Sequence, residues 1–456
     1  MDFKTLYLAN GSSAIFMNTQ MKVLMINPPI YDFSAYDLWM KPIGFLKIAD
    51  LLVKNGIDVF YFDFLDRNNN FYKEKGIKDR KYGTGKFYSI KVEKPEIYKH
   101  IPREYKRFGL PDYLFFDFIK TIKKIDFIFI TTGMTYWYLG VKEIVEFCKN
   151  YFPSVPIIIG GIYATFCFNH AKEKLNVDMV FKGKNIEDFI DQFNNKFSKK
   201  IKIFNNIYPY WDFYEKLKYV CIKTSYGCPF SCWYCGIKQL EPSFYQRDHF
   251  DVFFELKKNY EKFHFKDVAF YDDALFFNFE THLLKFLELV KKEKINVNFH
   301  TPNGIHPKFI TKDVAVILKE SNFKTIRLSL ETISGEREKE SSFKVSFSDF
   351  EKAIENLVIG GYSKEEIGVY ILAGLPFQKY EEVIETIKLL KKYPCKINIA
   401  EYSPIPGTID FEISKNLYPS LPIDEPLFQN NSIFPLWLSE NKWEKIEKLK
   451  EIAHSE

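Results

Sequence analysis

No run of about eighteen apolar residues occurs in this 456-residue chain, so the sequence offers no membrane-spanning helix. The first twenty residues lack the basic start and apolar middle of a secretory signal. A strand pattern begins at once after Met21, which makes residues 1–20 a leader or a start-site extension. Net charge is scarce as well. The 64 Lys and Arg against 59 Asp and Glu leave +5, which carries no nucleic-acid signal. Cysteine is sparse, with seven in all, and Cys148, Cys167, Cys221 and Cys395 are scattered singly. That excludes a disulfide framework and fits a reducing cytoplasm. Hydrophobic residues make up 46% and aromatics 18%, with 47 Phe, which predicts Phe-rich cores. The length allows two or three domains.

The other three cysteines stand together. Thr224-Ser-Tyr-Gly-Cys-Pro-Phe-Ser-Cys-Trp-Tyr-Cys-Gly236 places Cys228, Cys232 and Cys235 in the spacing C-x3-C-x2-C. Three thiolates on one short loop suit three irons of a 4Fe–4S cluster, which normally has four thiolates, so one iron would stay open to a ligand. Gly227 and Pro229 favour a tight, irregular loop. Trp233 and Tyr234 lie within it, fit to shield a cluster or meet a flat ligand. The competing metal is zinc, but a structural zinc site wants a second pair of ligands, and no such pair follows.

Before the loop, strands and helices alternate. Lys22–Ile26, Asp58–Phe64, Asp126–Thr132, Val155–Gly161 and Asp178–Lys182 read as strands. Helical patterns at 42–55, 141–152, near 166–175 and on to about 197 separate them. This pattern predicts a doubly wound parallel sheet, Rossmann-like, over residues 21–200. Ligands of such sheets sit beyond the carboxyl ends of the strands. Those ends carry Asn27-Pro-Pro, Thr132-Gly133, Gly160-Gly161 with Thr165, and Gly183-Lys-Asn185. The plain alternative is that the glycines merely turn the chain. An insertion at about 66–124 interrupts the pattern and reads as a surface loop, with a lid or an interface as the other options. Its Gly83-Thr-Gly-Lys86 lacks the full phosphate-loop pattern. His170 reads as an ordinary surface histidine.

After a linker at 201–218, six strand–helix units run over 219–410, a partial (β/α)6 barrel, followed by a tail and helix at 411–456. Asn278 is the expected cap of one helix, and Ser346 with Asp349 of another. Barrel sites lie at the carboxyl ends of strands. Those ends bear the Cys loop, Asp272-Asp273, Thr301-Pro-Asn303-Gly, Gly374-Leu-Pro376 and Tyr402-Ser-Pro-Ile-Pro406-Gly-Thr. On the fourth strand Arg327, Ser329 and Glu331 alternate with Ile326, Leu328 and Leu330, which puts the polar three on the lumen face. An Arg327–Glu331 ion pair is the bland reading of that stripe. Asn298 and His300 do the same on the third strand, and Glu401 is expected in the lumen from the sixth. His300, Arg327 and Glu401 are therefore the candidate catalytic residues.

The Cys motif, with the sequences around Phe270–Leu275, Thr301–Gly304 and Arg327–Thr332, resembles the radical S-adenosylmethionine (SAM) enzymes. Residues 21–200 resemble the cobalamin-binding domain that precedes the barrel in many of them. That resemblance rests on Pro28-Pro29, Ala35–Gly44, Gly133–Trp137 and Gly160–Thr165. It implies a 4Fe–4S cluster on the three cysteines, SAM on the open iron, and an external one-electron donor such as ferredoxin or flavodoxin. It implies main-chain contact of Tyr234 with adenine and of Asp272 or Asp273 with the methionine amino group. Ser329 and Glu331 would lie near the carboxylate and ribose, with Lys344 as a further carboxylate partner. Asn303, Gly374, Pro376, Tyr402 and Pro406 would complete the cofactor site. Thr132, Gly133, Gly160, Gly161 and Thr165 would meet cobalamin. The Asp-x-His-x-x-Gly motif is absent and residues 27–44 hold no His. Either cobalamin binds without a protein His ligand and methyl transfer follows, or only the shape persists and the chemistry is a rearrangement or bond formation. The substrate is not identified by the sequence.

Overall fold

The computed structural model of the protein describes residues 20–183, 185–333, 345–433 and 441–455. The expected lead segment up to residue 19, and Lys344, lie outside the described residues.

Five strands form the first sheet: β1 (Lys22–Asn27), β2 (Asp58–Asp63), β3 (Phe127–Thr132), β4 (Ile157–Gly161) and β5 (Met179–Val180). All pairings are parallel, in the order β5-β4-β3-β1-β2, so the order reverses between β1 and β3. Alternate residues serve opposite cores. Leu24, Ile26, Ile128, Ile130, Ile157 and Ile159 enter one cluster, and Val23, Met25, Phe127, Phe129 and Ile158 the other. Both faces are covered, which is why these strands read as unbroken apolar runs. The expected fifth strand is only two residues long, and the helix near 166–175 is two, Ile162–Phe166 and Phe168–Leu175.

The second sheet contains β6 (Tyr219–Ile222), β7 (Asp267–Phe270), β8 (Asn298–His300), β9 (Phe323–Glu331), β10 (Ile367–Ala373) and β11 (Lys396–Glu401), paired in sequence order and all parallel. This is the partial barrel the six-unit pattern predicts. Its outer face is one apolar core that takes in Val220, Val268, Phe299, Ile326, Leu328, Val369 and Ile397. Phe270, Phe299 and Phe323 pack ring to ring across it, with centroids 5.2–5.8 Å apart. Ser346 Oγ accepts from Asp349 N as the cap pattern predicts. Asn278 does not cap a long helix. It adopts φ +54° before a single turn, Phe279–Thr281, and the helix proper is Leu283–Lys292.

The insertion at 66–124 is not a free surface loop. Tyr82 and Trp39, both at positive φ, enter the barrel and pack on His300, with centroids 4.5 and 4.4 Å away. Trp39 Nε1 donates to Tyr82 O, and Trp39 O accepts from Cys221 Sγ on β6. Tyr219 OH donates to Asp37, and Tyr271 OH accepts from Lys41 N. The first unit therefore floors the barrel. The tail after 411 straddles both units. Asn430 Nδ2 donates to Asp32, Tyr98 OH donates to Leu427 O, and Ser403 Oγ, just past β11, donates to Gln429 O. No described helix is long and apolar enough to cross a membrane.

Candidate functional site

The Cys loop is held at its root by one carboxylate. Asp272, just past β7 and 3% exposed, accepts from Thr224 N (3.0 Å) and Oγ1 (2.7 Å) and from Ser225 N and Oγ (both 2.6 Å). All four reach Oδ1, and Oδ2 also accepts from Thr224 N at 3.1 Å. Of the two aspartates expected near a methionine amino group, Asp272 is thus spent on the loop. Asp273 faces the cavity. Burial lifts its carboxyl to about 6, against the opposing pull of Lys223, 3.5 Å away.

A second clamp grips the loop's next turn. Glu241 accepts from Lys223 Nζ (2.6 Å) and from Gly227 N (2.6 Å). Gly227 sits at φ +70°, and a Cβ there would fall 2.5 Å from Ser243 O, so glycine is required twice over. Cys228 is buried, and Cys232 and Cys235 are partly exposed. Cys235 N donates to Cys232 O at 3.1 Å, and Asp410 N, from the tail, to Trp233 O.

Tyr234 sends its ring into a small cluster with Leu375, Tyr402, Phe411 and Ile423. Its hydroxyl donates to Glu331, and burial and Glu331 together push its pKa far up. Glu331 has φ +70°, beside a register shift between Ser329 and Glu331. A Cβ on Gly304 would fall 2.0 Å from Ser329 Oγ, so the third and fourth strand ends touch there. Asn303 Nδ2 donates to Asp272 O at 3.1 Å. At the fifth end, Gln378 Oε1 accepts from Gly374 N and Leu375 N while its Nε2 donates to Leu372 O, which pins the turn that buries Pro376. Tyr402 is buried, and the segment through Pro406 reaches the Cys loop. A Cβ on Gly236 would fall 2.9 Å from Ile405 Cγ2, and one on Gly407 2.5 Å from Gln239 Nε2. Between the Cys loop and the ends of β7 and β8 opens a cleft of about 400 Å³, counted with its open mouth and lined by Phe230, Asp273, Asn303, His306 and Phe309.

Two candidate catalytic residues stand elsewhere. His300 does face the lumen, but it is fully buried, bonded through Nε2 to Asp267 (2.9 Å) and through Nδ1 to Thr325 (3.1 Å), under Trp39. Desolvation holds its pKa below the ordinary value, with Asp267 opposing, so it serves as a sealed structural group. Glu401 is on the wrong face for the lumen. Ile397 and Ile399 share its side of β11 and pack on the outer core, and Glu401 accepts from Lys450 Nζ at 2.9 Å on the helix Lys442–His454. The sixth strand is a sheet edge, and that helix covers it. Arg327 lies on the inner face, as its alternation predicts.

At the first sheet, Thr132 Oγ1 accepts from Ala164 N (3.1 Å), and Thr165 Oγ1 donates to Gly161 O (2.8 Å). A Cβ on Gly161, at φ +115°, would fall 2.4 Å from Thr132 O. One on Gly133 would fall 2.8 Å from Trp137, and one on Gly160 3.5 Å from Phe181. Internal close approach accounts for the first two. His170 is held by Tyr163 OH (2.7 Å) beside Glu425 (3.4 Å). These strand ends face the Cys loop, for a Cβ on Gly236 would fall 2.6 Å from Phe166 Cζ.

Among the described residues no three His, Cys, Asp or Glu converge on one point as the ligands of a single ion do. Thiolates of an iron–sulfur cluster each take a different iron and need not converge. A rooted loop that presents three thiols at a strand-end cleft fits such a group. Residues 222–390 match the Radical SAM superfamily. No curated protein matches the chain in sequence. Among solved structures it is similar to the radical SAM methyltransferase TsrM from Kitasatospora setae, solved with tryptophan substrate and aza-SAM. That match has 12% identity over 88% of this chain and 77% of that one, with TM-score 0.64. The same enzyme with cobalamin and a [4Fe-4S] cluster gives TM-score 0.62, at 12% identity over 88% and 79%. The cobalamin-dependent SAM radical enzyme OxsB, solved with aqua-cobalamin and SAM, gives 0.54 at 11% identity, over 95% of this chain and 61% of that one. At these identities the likeness is one of fold, and it extends over both units.

Proposed function

We propose that the chain is a radical SAM enzyme in which Cys228, Cys232 and Cys235 hold a 4Fe–4S cluster over the barrel of residues 219–410. We infer further that residues 21–200 carry a corrinoid used for methyl transfer. The rooted Cys loop carries the first part of this reading. When bound, the cluster supplies the electron that splits SAM to methionine and a 5′-deoxyadenosyl radical, and a corrinoid supplies a methyl carrier. Asp273 is the acceptor available to an amino group at the cleft, and Lys223 beside it balances the charge. Tyr234, Glu331 and Tyr402 wall the opposite side, and Trp39 and Tyr82 exclude water from below. The contact of Gly236 with Phe166 supports the second part, because a ligand on the first sheet's strand ends would lie next to the Cys loop. A rearrangement with a vestigial cobalamin unit is the second reading. The tight internal contacts of Gly133 and Gly161, and the bonding of His170, favour it. Iron, sulfide and cobalamin analysis of anaerobically purified protein separates the two, with an external donor such as flavodoxin added for turnover. Cys232→Ala is expected to lose iron and all 5′-deoxyadenosine formation. Continued formation in that variant would refute the ligand assignment.

A further inference from the structure

Arginines inside this protein come with carboxylates. Arg67 meets Asp37 and Asp79, Arg107 meets Asp112 and Glu143, and Arg247 meets Asp251 and Glu255. Arg327 is the exception among the partly buried ones. Its guanidinium donates Nη1 to Ile326 O (3.3 Å) and lies beside the Tyr370 hydroxyl, and no Asp or Glu is within ion-pair distance among the described residues. Asp267, an inner-face carboxylate, is taken by His300 Nε2 and Asn298 Nδ2.

The surroundings are shaped to this side chain. Arg327 lies flat across Gly368 on the neighbouring strand β10. A Cβ at Gly368 would fall 2.8 Å from Arg327 Cδ, 2.9 Å from Nη1 and 2.8 Å from Asn398 Nδ2 on β11. The missing side chain thus leaves a channel that holds a guanidinium next to an amide. Arg327 stands two residues below Ser329 on the same face and four below Glu331, where β9 ends, roughly 13 Å beneath that strand end. Trp39, Tyr82 and His300 close the lumen below.

A partly desolvated cation without a counter-ion is costly unless something anionic meets it. A guanidinium offers a planar fork of donors that matches carboxylate or phosphate two bonds at a time. We propose that Arg327, laid across Gly368 and flanked by Asn398, anchors the anionic group of the substrate, a carboxylate or a phosphate. The chemistry done on that substrate rests on the radical SAM reading, whereas the anchoring does not.

The test uses the full chain as purified, with sodium acetate and inorganic phosphate as probes and chloride at matched ionic strength as the blank. Calorimetric titration should show wild type binding at least one probe, acetate pointing to a carboxylate and phosphate to a phosphoryl group. Arg327→Gln should weaken that binding roughly tenfold to a hundredfold, the worth of a charge-assisted contact. Gly368→Ala, which keeps the arginine but blocks its channel, should weaken it too. Lys258→Gln, an exposed lysine elsewhere, should not. The proposal is overturned if neither anion binds wild type beyond chloride, or if Arg327→Gln binds as tightly as wild type. Should Arg327→Gln fail to fold, Arg327→Lys decides: several-fold weaker binding supports the fork, and unchanged affinity removes it. Anion binding needs no cluster, so its outcome is separate from that of Cys232→Ala, which reads iron and SAM cleavage.

Discussion

Replacing Asp272 by Ala tests whether the Cys loop owes its shape to one carboxylate. Asp272, Thr224 and Ser225 are all at most 3% exposed, so water cannot substitute for lost bonds. The native carboxylate accepts four hydrogen bonds, two from backbone N–H groups and two from hydroxyls. All four converge on Oδ1, an acceptor that asparagine could keep, whereas alanine removes every acceptor. Counting only the two backbone N–H bonds, at about 1.5–3 kcal/mol each, the loop root loses at least about 3–6 kcal/mol. Even the lower figure corresponds to roughly a hundredfold rise in local opening. The loss falls on the loop rather than on the apolar core, so global melting should shift far less than loop opening. Hydrogen exchange at the Thr224 and Ser225 amides measures the opening directly, and iron content after anaerobic reconstitution measures its consequence. Both amides should exchange on the order of a hundredfold faster, with iron retention reduced. Unchanged protection, or a full iron complement with wild-type stability in iron-free buffer, would refute the claim that Asp272 organises the loop.

Other outcomes follow from the barrel floor. Trp39→Ala removes a ring stacked on His300 at 3% exposure, and should cost about 3–5 kcal/mol in denaturant unfolding. A loss under about 1 kcal/mol would mean that the floor is not a packed interface. His300 gives a pH dependence of definite sign. Its pKa is depressed in the folded state, so near neutral pH it is uncharged, whereas the unfolded chain takes up a proton near the ordinary value of 6.5. Stability from this group is full above that value and falls as the pH drops below it through the folded value. Asp267 opposes the shift, and Arg327 and Lys324 reinforce it. His300→Gln should flatten the acid limb of a stability–pH curve, and an unaltered limb would show that His300 is not the group responsible.

The sequence shows the parallel sheets because burial on both faces writes unbroken apolar runs into β1, β3 and β4. It shows the six barrel units because each strand ends in a residue type that a regular helix or strand would not favour. Period two placed Arg327, Ser329 and His300 on the inner face correctly, since a strand fixes side-chain direction locally. The same reasoning does not reach Glu401. Its side of an edge strand depends on a helix more than forty residues later, whose Lys450 holds the carboxylate. Nor does it separate Asp272 from its neighbour, because identical side chains one position apart point to opposite surroundings.

The spacing of Cys228, Cys232 and Cys235 by itself determined that three thiolates share one loop, since chain length alone keeps them near. Only the tertiary structure decided what holds that loop, what closes the barrel beneath it and which lumen cation has no carboxylate partner among the described residues. Asp272, Glu241 and Gln378 act through hydrogen bonds that join distant or unpatterned positions. Trp39 and Tyr82 reach His300 from more than two hundred residues away. Such contacts leave no periodicity in a sequence, because they form only when separately folded elements are brought against one another.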